Sequence, residues 1–334
     1  MNTNPETAVS TDSDAGAGFP RLVADIGATH ARFARCDAPG STPRALRKLH
    51  TRDFATLEEA LRTYAGETDL EVEHACLAVA GPVSGEQIRL TNGNWCFTRD
   101  ALAREFGFRG LRILNDLEAI ALAVAFLGPD DFRAIGGGET ASDAPMAVVA
   151  PGTGLGMSLL LPCGEGWHLV ATEGGHATLA PGNEREEAVF DYWLTRGGRL
   201  SREHFLSGPG LMRIHEALAS LEATPAPAQS PEEISALAET RHDPVCLETL
   251  EIFMALLGST CGDQALSTGA RGGVWLAGGI LPHLSERLEQ GPFRARFEDK
   301  APMTDWVSAI ATRLITAAEP GLTGAARARL NFQR

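Results

Sequence analysis

LRILNDLEAIALAVAF, residues 111–126, is the stretch whose reading decides the fold. The apolar residues Leu111, Ile113 and Leu114 alternate as in a buried strand, and from Leu117 the spacing turns helical through Ile120, Ala121 and Val124. Asn115 and Asp116 stand where the period switches. A carboxylate is thereby expected at the C-terminal end of a strand and the start of a helix, where open α/β sheets place their ligands. Helix capping alone would also account for Asp116, since Asp is a favoured N-cap residue. What favours chemistry is the rest of the chain, which supplies two glycine turns and further acidic residues.

Working outward to the N-terminus, RLVADIGATHARFARCD (residues 21–37) reads as strand, tight turn, strand, broken at Gly27-Ala28-Thr29. Any hairpin can carry a glycine in its turn. Here Asp25 enters the turn and Thr29 leaves it, so backbone N–H groups, a hydroxyl and a carboxylate gather at one tip. Such a tip can hold a phosphate and its metal ion. Between the two segments, Thr56 and Glu59 spell a capping box for a short helix through Tyr64, residues 74–83 a buried strand, residues 87–92 another, and Thr98 the cap of a helix that stops at Gly107. Trp95 and Phe97 are expected in the core.

Toward the C-terminus, residues 129–145 read as a glycine-rich loop and a domain boundary. AVVAPGTGLGMSLLL (147–161) then repeats the opening pattern, strand, glycine turn, strand, about 125 residues further on, which suggests a duplicated α/β unit. A dinucleotide fingerprint fails here, because Met157 stands where its last glycine would be and a strand follows instead of a helix. Gly152, Thr153 and Gly154 read better as a phosphate cradle. WHLVATEGGH (167–176) ends a strand with Glu173, two glycines and His176. Asn183 caps a helix to Thr195, Ser201-Arg202-Glu203 precedes LSGPG and a helix through Leu221, and residues 224–231 form a Pro-rich connector. Helical spacing over 243–268 includes Gly258 and Gly262, which implies close packing. GGVWLAGG (272–279) is a buried strand ending in paired glycines, and residues 313–317 and 320–330 are the last strand and helix.

Length and composition bound the rest. A chain of 334 residues is long for one core, so two domains are expected. The net charge of −14 argues against nucleic acid or an anionic membrane as partner. No apolar run reads as a membrane span and residues 1–19 carry no leader pattern, so the expected compartment is the cytoplasm. Lys48 and Lys300 are the only lysines, so a Walker-type phosphate loop is excluded. The six cysteines form no C-x-x-C pair and are expected as buried free thiols.

Seven motifs in order, VADIGATHAR, LRILNDLEA, APGTGLG, TEGGH, LSGPGL, LAGGI and FRARFEDK, resemble those of the bacterial glucokinase family within the actin- and hexokinase-like ATPase superfamily. The resemblance implies two duplicated actin/RNase H-like α/β domains with a ligand cleft between them. It divides the chain into a disordered lead-in (1–19), a small domain (20–126 plus 317–334) and a large one (127–316). It implies ATP- and Mg²⁺-dependent transfer of a phosphoryl group to the 6-hydroxyl of glucose in a homodimeric enzyme. By matching positions, Asp116 is the base, and Asn115, Glu173, His176 and Glu203 join it in holding the sugar. Ala24, Asp25, Ile26, Gly27, Ala28 and Thr29 form the first phosphate tip, Gly152, Thr153 and Gly154 the second, and Gly278 and Gly279 the adenosine side; Asp25 holds the metal directly or through water.

The chain departs from the family pattern at Ala28 and His30, where a second glycine and an asparagine are usual, and at Pro151. If position 28 requires positive φ, alanine is strained there and the tip weakened. Those departures keep two alternatives open: a kinase for another hexose, and a sugar-binding sensor with weakened turnover.

Overall fold

The computed structural model describes residues 18–164, 166–226 and 228–330; the expected lead-in over 1–19 falls almost wholly outside them. The chain divides into two compact units. One runs to Gly128 and includes Leu160–Val170 and the segment from Ala317 onward; the other is Pro129–Leu159 with Ala171–Thr316.

The first unit contains β1 (Arg21–Ile26), β2 (His30–Cys36), β3 (Arg44–His50), α1 (Leu57–Thr68), β4 (His74–Val79), β5 (Gln87–Arg89), β6 (Cys96–Thr98), α2 (Arg99–Phe106), β7 (Gly110–Asn115) and α3 (Asp116–Val124). Its main sheet has the order β3-β2-β1-β4-β7. The β1–β2 pair is antiparallel with Ala24 opposite Phe33, whereas β1–β4 and β4–β7 are parallel, so β1 and β7 end at the same edge. Leu22, Phe33, Tyr64, Leu77, Trp95 and Phe97 pack in one core. Its solvent-free interior follows from strands buried on both faces, as parallel sheets require.

The chain continues through β8 (Phe132–Gly136), β9 (Met146–Pro151), β10 (Leu155–Cys163), β11 (Gly166–Thr172), α4 (Glu184–Leu194), α5 (Arg202–Phe205), α6 (Gly208–Leu221), α7 (Pro231–Thr240), α8 (Pro244–Thr268), β12 (Val274–Leu276), α9 (Ser285–Gln290), α10 (Phe293–Glu298), α11 (Thr304–Ser308) and β13 (Thr312–Ile315). The second sheet has the order β11-β10-β9-β12-β13-β8. Its first five places repeat the connectivity of the first sheet, hairpin strands followed by parallel ones, as the twin glycine turns predict. The last helix, α12 (Pro320–Arg327), returns to the first unit and packs on α3, where Gly324 lies so close to the Ala119 carbonyl that no Cβ would fit.

Several local readings need correction. The stretch 129–145 is not all loop, because β8 pairs antiparallel with β13 as an edge strand; its five residues are too few and too exposed to show a pattern. Helix α7 begins inside the Pro-rich connector, where Pro231 occupies the first turn, a position that needs no N–H. Helix α1 continues past Tyr64 to Thr68. Of the cysteines, Cys163 is exposed and Cys96 half-buried, the others buried. Helix α8 is long and apolar enough to cross a membrane by length and composition, contrary to the sequence reading, yet 78% of its apolar window is buried within the fold. Polar residues such as Glu248, Glu251 and Asp263 interrupt the run, and Gly258 and Gly262 let the Phe293 and Phe297 carbonyls of α10 approach its backbone.

That contact also explains FRARFEDK. Arg296 pairs with the buried Glu186, whose carboxylate also accepts the Gly182 N–H (2.6 Å), while Arg294 donates to the carbonyls of Ile310 and Ser308. Lys300 bonds Asp263 at 2.8 Å. The motif is a strap across the second core, with its charges spent on structure.

Candidate active site

In the first unit, β7 ends at Asn115 and α3 starts at Asp116. The cap is Asn115, not Asp116: the Asn115 side chain accepts the Leu117 N–H (3.0 Å), and Glu118 reaches back to the Asn115 N–H (2.8 Å). Asn115 Nδ2 also donates to the Gly81 carbonyl at 3.0 Å, which locks the amide. Asn115 is therefore the cap, and Asp116 takes a share of the same Leu117 donor. Its Oδ1 accepts the Leu117 N–H at 2.9 Å. Burial raises the Asp116 pKa above the usual carboxylate range, and the hydrogen bonds from Leu117, its own N–H and Asn115 only partly oppose the rise.

Asp25, one residue before the end of β1, is electrostatically coupled to Asp116. Burial pushes its carboxyl up to about 6; Arg32 pulls it down, while Asp116 and Glu319 push it further up. Arg32 reaches Asp25 at 3.5 Å and Glu319 at 2.9 Å. A Cβ on Gly321 would lie 3.1 Å from the Asp25 carboxyl carbon, so any larger residue in the first turn of α12 would crowd this carboxylate. The tip itself closes through a Gly27 N–H bond to the His30 carbonyl at 2.9 Å. Thr29 is exposed at its apex. Ala24 and Ile26 lie inside β1 with fully buried side chains, so they support the tip from behind. Ala28 is absent from the residues of positive φ, so the strain expected there does not arise.

In the second unit, the tip after β9 closes through Gly152 N–H to the Gly154 carbonyl (2.8 Å), and Gly208 N–H, opening α6, bonds the Gly152 carbonyl (2.8 Å). Glu203 projects from α5, accepts the Leu155 N–H at 2.9 Å and would stand 2.5 Å from a Cβ on Gly154. Thr153, Ser201, Glu203, Ser207 and Arg213 line a cavity of about 170 Å³. The Glu173 carboxylate and His176 Nε2 are 3.8 Å apart and both largely exposed, on the turn after β11. Arg202, next to Glu203, joins that turn to α5 by bonding the Ala177 carbonyl through its N–H and approaching Gly174. Gly278 has φ 90° and presses against the Pro151 carbonyl, while Gly279 faces open space. Pro151 is itself buried at the strand end and belongs to this contact.

Each unit thus assembles its own share of the expected residues: Asp25, Thr29, Asn115 and Asp116 in the first, and Gly152–Gly154, Glu173, His176, Glu203 and Gly278 in the second. Sequence reading missed Gly81, Glu319 and Arg202 as partners of these groups because their contacts are distant in sequence, and missed Arg32 and Ser207, only seven and four residues from Asp25 and Glu203, because no motif marks them. Among the described residues no cluster of three or more His, Cys, Asp or Glu is placed to hold a metal on its own. A lone carboxylate at a phosphate tip suits Mg²⁺, which keeps several waters and takes the rest of its shell from phosphate.

Duplicated sheets of this order, each with a glycine tip after its first strand, define the class: a phosphotransferase of the actin-like ATPase fold. The sequence profile of the Glucokinase family matches residues 22–331. The glucokinase of Chromobacterium violaceum is 45% identical over 309 residues, 92% of this chain and 88% of that protein. That of Neisseria meningitidis is 39% identical over 327 residues, 98% of this chain and 99% of the relative. A crystal structure of glucokinase from an Antarctic psychrotroph superposes with a TM-score of 0.86 at 34% identity, covering 92% of this chain and 97% of that one. The chain belongs to the glucokinase family.

Proposed function

We propose that the protein transfers the γ-phosphoryl group of ATP to the 6-hydroxyl of glucose. The observation that carries this reading is the half-buried carboxylate of Asp116 at the switch from β7 to α3, raised in pKa and relieved of the N-cap position by Asn115. A sugar hydroxyl is a weak nucleophile at neutral pH, so Asp116 orients it and takes its proton as the oxygen bonds to phosphorus. A raised pKa makes that carboxylate a better proton acceptor. Asn115, Glu173, His176 and Glu203 supply donors and acceptors for the other hydroxyls. Thr29, Thr153 and the tip N–H groups not engaged internally would meet the phosphates, and Gly279, beside the tightly packed Gly278, would leave room for the nucleoside. When bound with the nucleotide at Asp25, Mg²⁺ would neutralise phosphate charge that no lysine within either glycine turn can meet. We take the enzyme to work in the cytoplasm as a homodimer, which sedimentation velocity tests.

The sensor reading drew on Ala28 and His30; Ala28 is not among the residues of positive φ, which removes the first of its two motives. A panel of hexoses with MgATP, scored for both binding and ADP release, tests the main reading. Glucose is expected to give the highest turnover, and no sugar-dependent ADP release with any hexose would overturn it. Asp116→Asn should lower kcat by about 10³-fold, within the range for a lost general base, with glucose affinity kept within about threefold by calorimetry. Near-normal turnover would remove Asp116 from the role.

A further inference from the structure

The first tip is braced by a segment that no sequence motif marks. After β3 the chain makes a single helical turn over Thr51–Asp53, and Thr51 sits beneath the tip, 8% exposed. Its hydroxyl donates to the Ala28 carbonyl at 2.5 Å and its N–H donates to the Thr29 carbonyl at 3.1 Å. One residue therefore binds both carbonyls of the apex. Beside it the rings of His30 and His50, paired across β2 and β3, lie 4.5 Å apart and tilted by 43°.

The consequence follows from peptide geometry. In a planar trans peptide the N–H points opposite to the C=O. Drawing the Ala28 carbonyl down toward Thr51 turns the Thr29 N–H the other way, and it keeps a carbonyl dipole from facing an anion. Gly27 N–H is already spent on the His30 carbonyl. The Thr29 and His30 N–H groups are thus oriented by Thr51.

We propose that Thr51 is a positioning residue for the phosphate-binding tip, fixing the Ala28 and Thr29 peptides so that the apex presents N–H groups, and not carbonyls, to the nucleotide phosphates. The inference rests on the kinase reading of the site. It also accounts for the alanine at position 28, since an apex held from below by two hydrogen bonds has no need of a flexible glycine. The expected specificity is for the polyphosphate chain, whatever sugar the enzyme takes.

The test is Thr51→Val, which removes the hydroxyl and keeps the shape and the N–H, with Thr51→Ser as the conservative rescue. Calorimetry with MgADP and with glucose, and steady-state kinetics, should show the ADP Kd and the KM for ATP raised roughly fivefold to tenfold, the size of one lost hydrogen bond. The Kd and KM for glucose should stay within about twofold, and serine should restore the nucleotide constants. Unchanged nucleotide constants in Thr51→Val, or equal losses for both substrates with no rescue by serine, overturn the proposal. Should valine disturb folding, Thr51→Ala carries the same expectation. If the wild-type protein binds MgADP but transfers no phosphate to any sugar, the kinase reading fails, and the ADP constants still decide the role of Thr51.

Discussion

The tip at residues 27–29 and the tip at residues 152–154 join corresponding strands of two sheets with the same connectivity, yet opposite constraints hold them. The first is held through its backbone carbonyls. Thr51 binds its carbonyls, its φ angles are ordinary, and a side chain at position 28 is accommodated. The second is fixed from outside, by a carboxylate of α5 so close to Gly154 that a methyl group would displace it. A duplicated hairpin can therefore carry a glycine for two unrelated reasons, conformation or proximity, and only the surroundings tell which.

Gly154→Ala would break the second arrangement and is expected to give the larger effect. The added Cβ stands 2.5 Å from Glu203 Oε2, so the carboxylate must leave the Leu155 N–H or the tip must move. Glucose affinity should fall by about ten- to a hundredfold, as expected when a sugar hydroxyl loses a charged partner. Titration calorimetry measures it directly. Affinity within twofold of wild type would mean that Glu203 is free to move and does not hold the sugar.

The first tip differs from the second in carrying its own carboxylate, and pH sharpens that contrast. Asp25 is held up to about 6, chiefly by burial, so its folded value exceeds that of the unfolded chain. The sign follows: the protonated form contributes stability at low pH, and this is lost as pH rises through about 6. Mg²⁺ would bind the ionised form and offset that loss. Added Mg²⁺ with ADP should raise Tm at pH 7.5 by more than at pH 5, and the difference should disappear in Asp25→Asn. Scanning calorimetry at the two pH values checks this, and an equal Mg²⁺ effect at both would place the metal elsewhere.

How much of this could be read in advance depended on distance along the chain. The switch at 115–116, both hairpins and the caps at Thr98 and Asn183 were legible because each is encoded within a few residues. Strand β8 and helix α7 were not: one is a short exposed edge, and the other opens on the proline that marked a connector. The FRARFEDK run carried the family resemblance without a local reading, and its Arg296 pairs with the buried Glu186 while Lys300 pairs with the half-exposed Asp263. The contacts that define the site, Asn115 to Gly81, Glu203 to Leu155 and Thr51 to Ala28, join residues 23 to 48 positions apart. Nothing in local periodicity encodes such pairings.

The smallest expected effect is the most telling for the comparison. Ala28→Gly restores the residue usual in the family at the first tip, and on the sequence alone it should relieve strain and improve nucleotide binding. With an ordinary φ at position 28 there is no strain to relieve. Glycine would only widen the unfolded ensemble, and the variant should lose about 0.5–1 kcal/mol of stability in urea denaturation. The KM for ATP should stay within about twofold of wild type, because the Ala28 and Thr29 carbonyls remain bound to Thr51. A gain of several-fold in nucleotide affinity would show that this tip adopts positive φ when phosphate binds. In that event the two tips would share one constraint after all, and the alanine would mark a compromised site instead of a braced one.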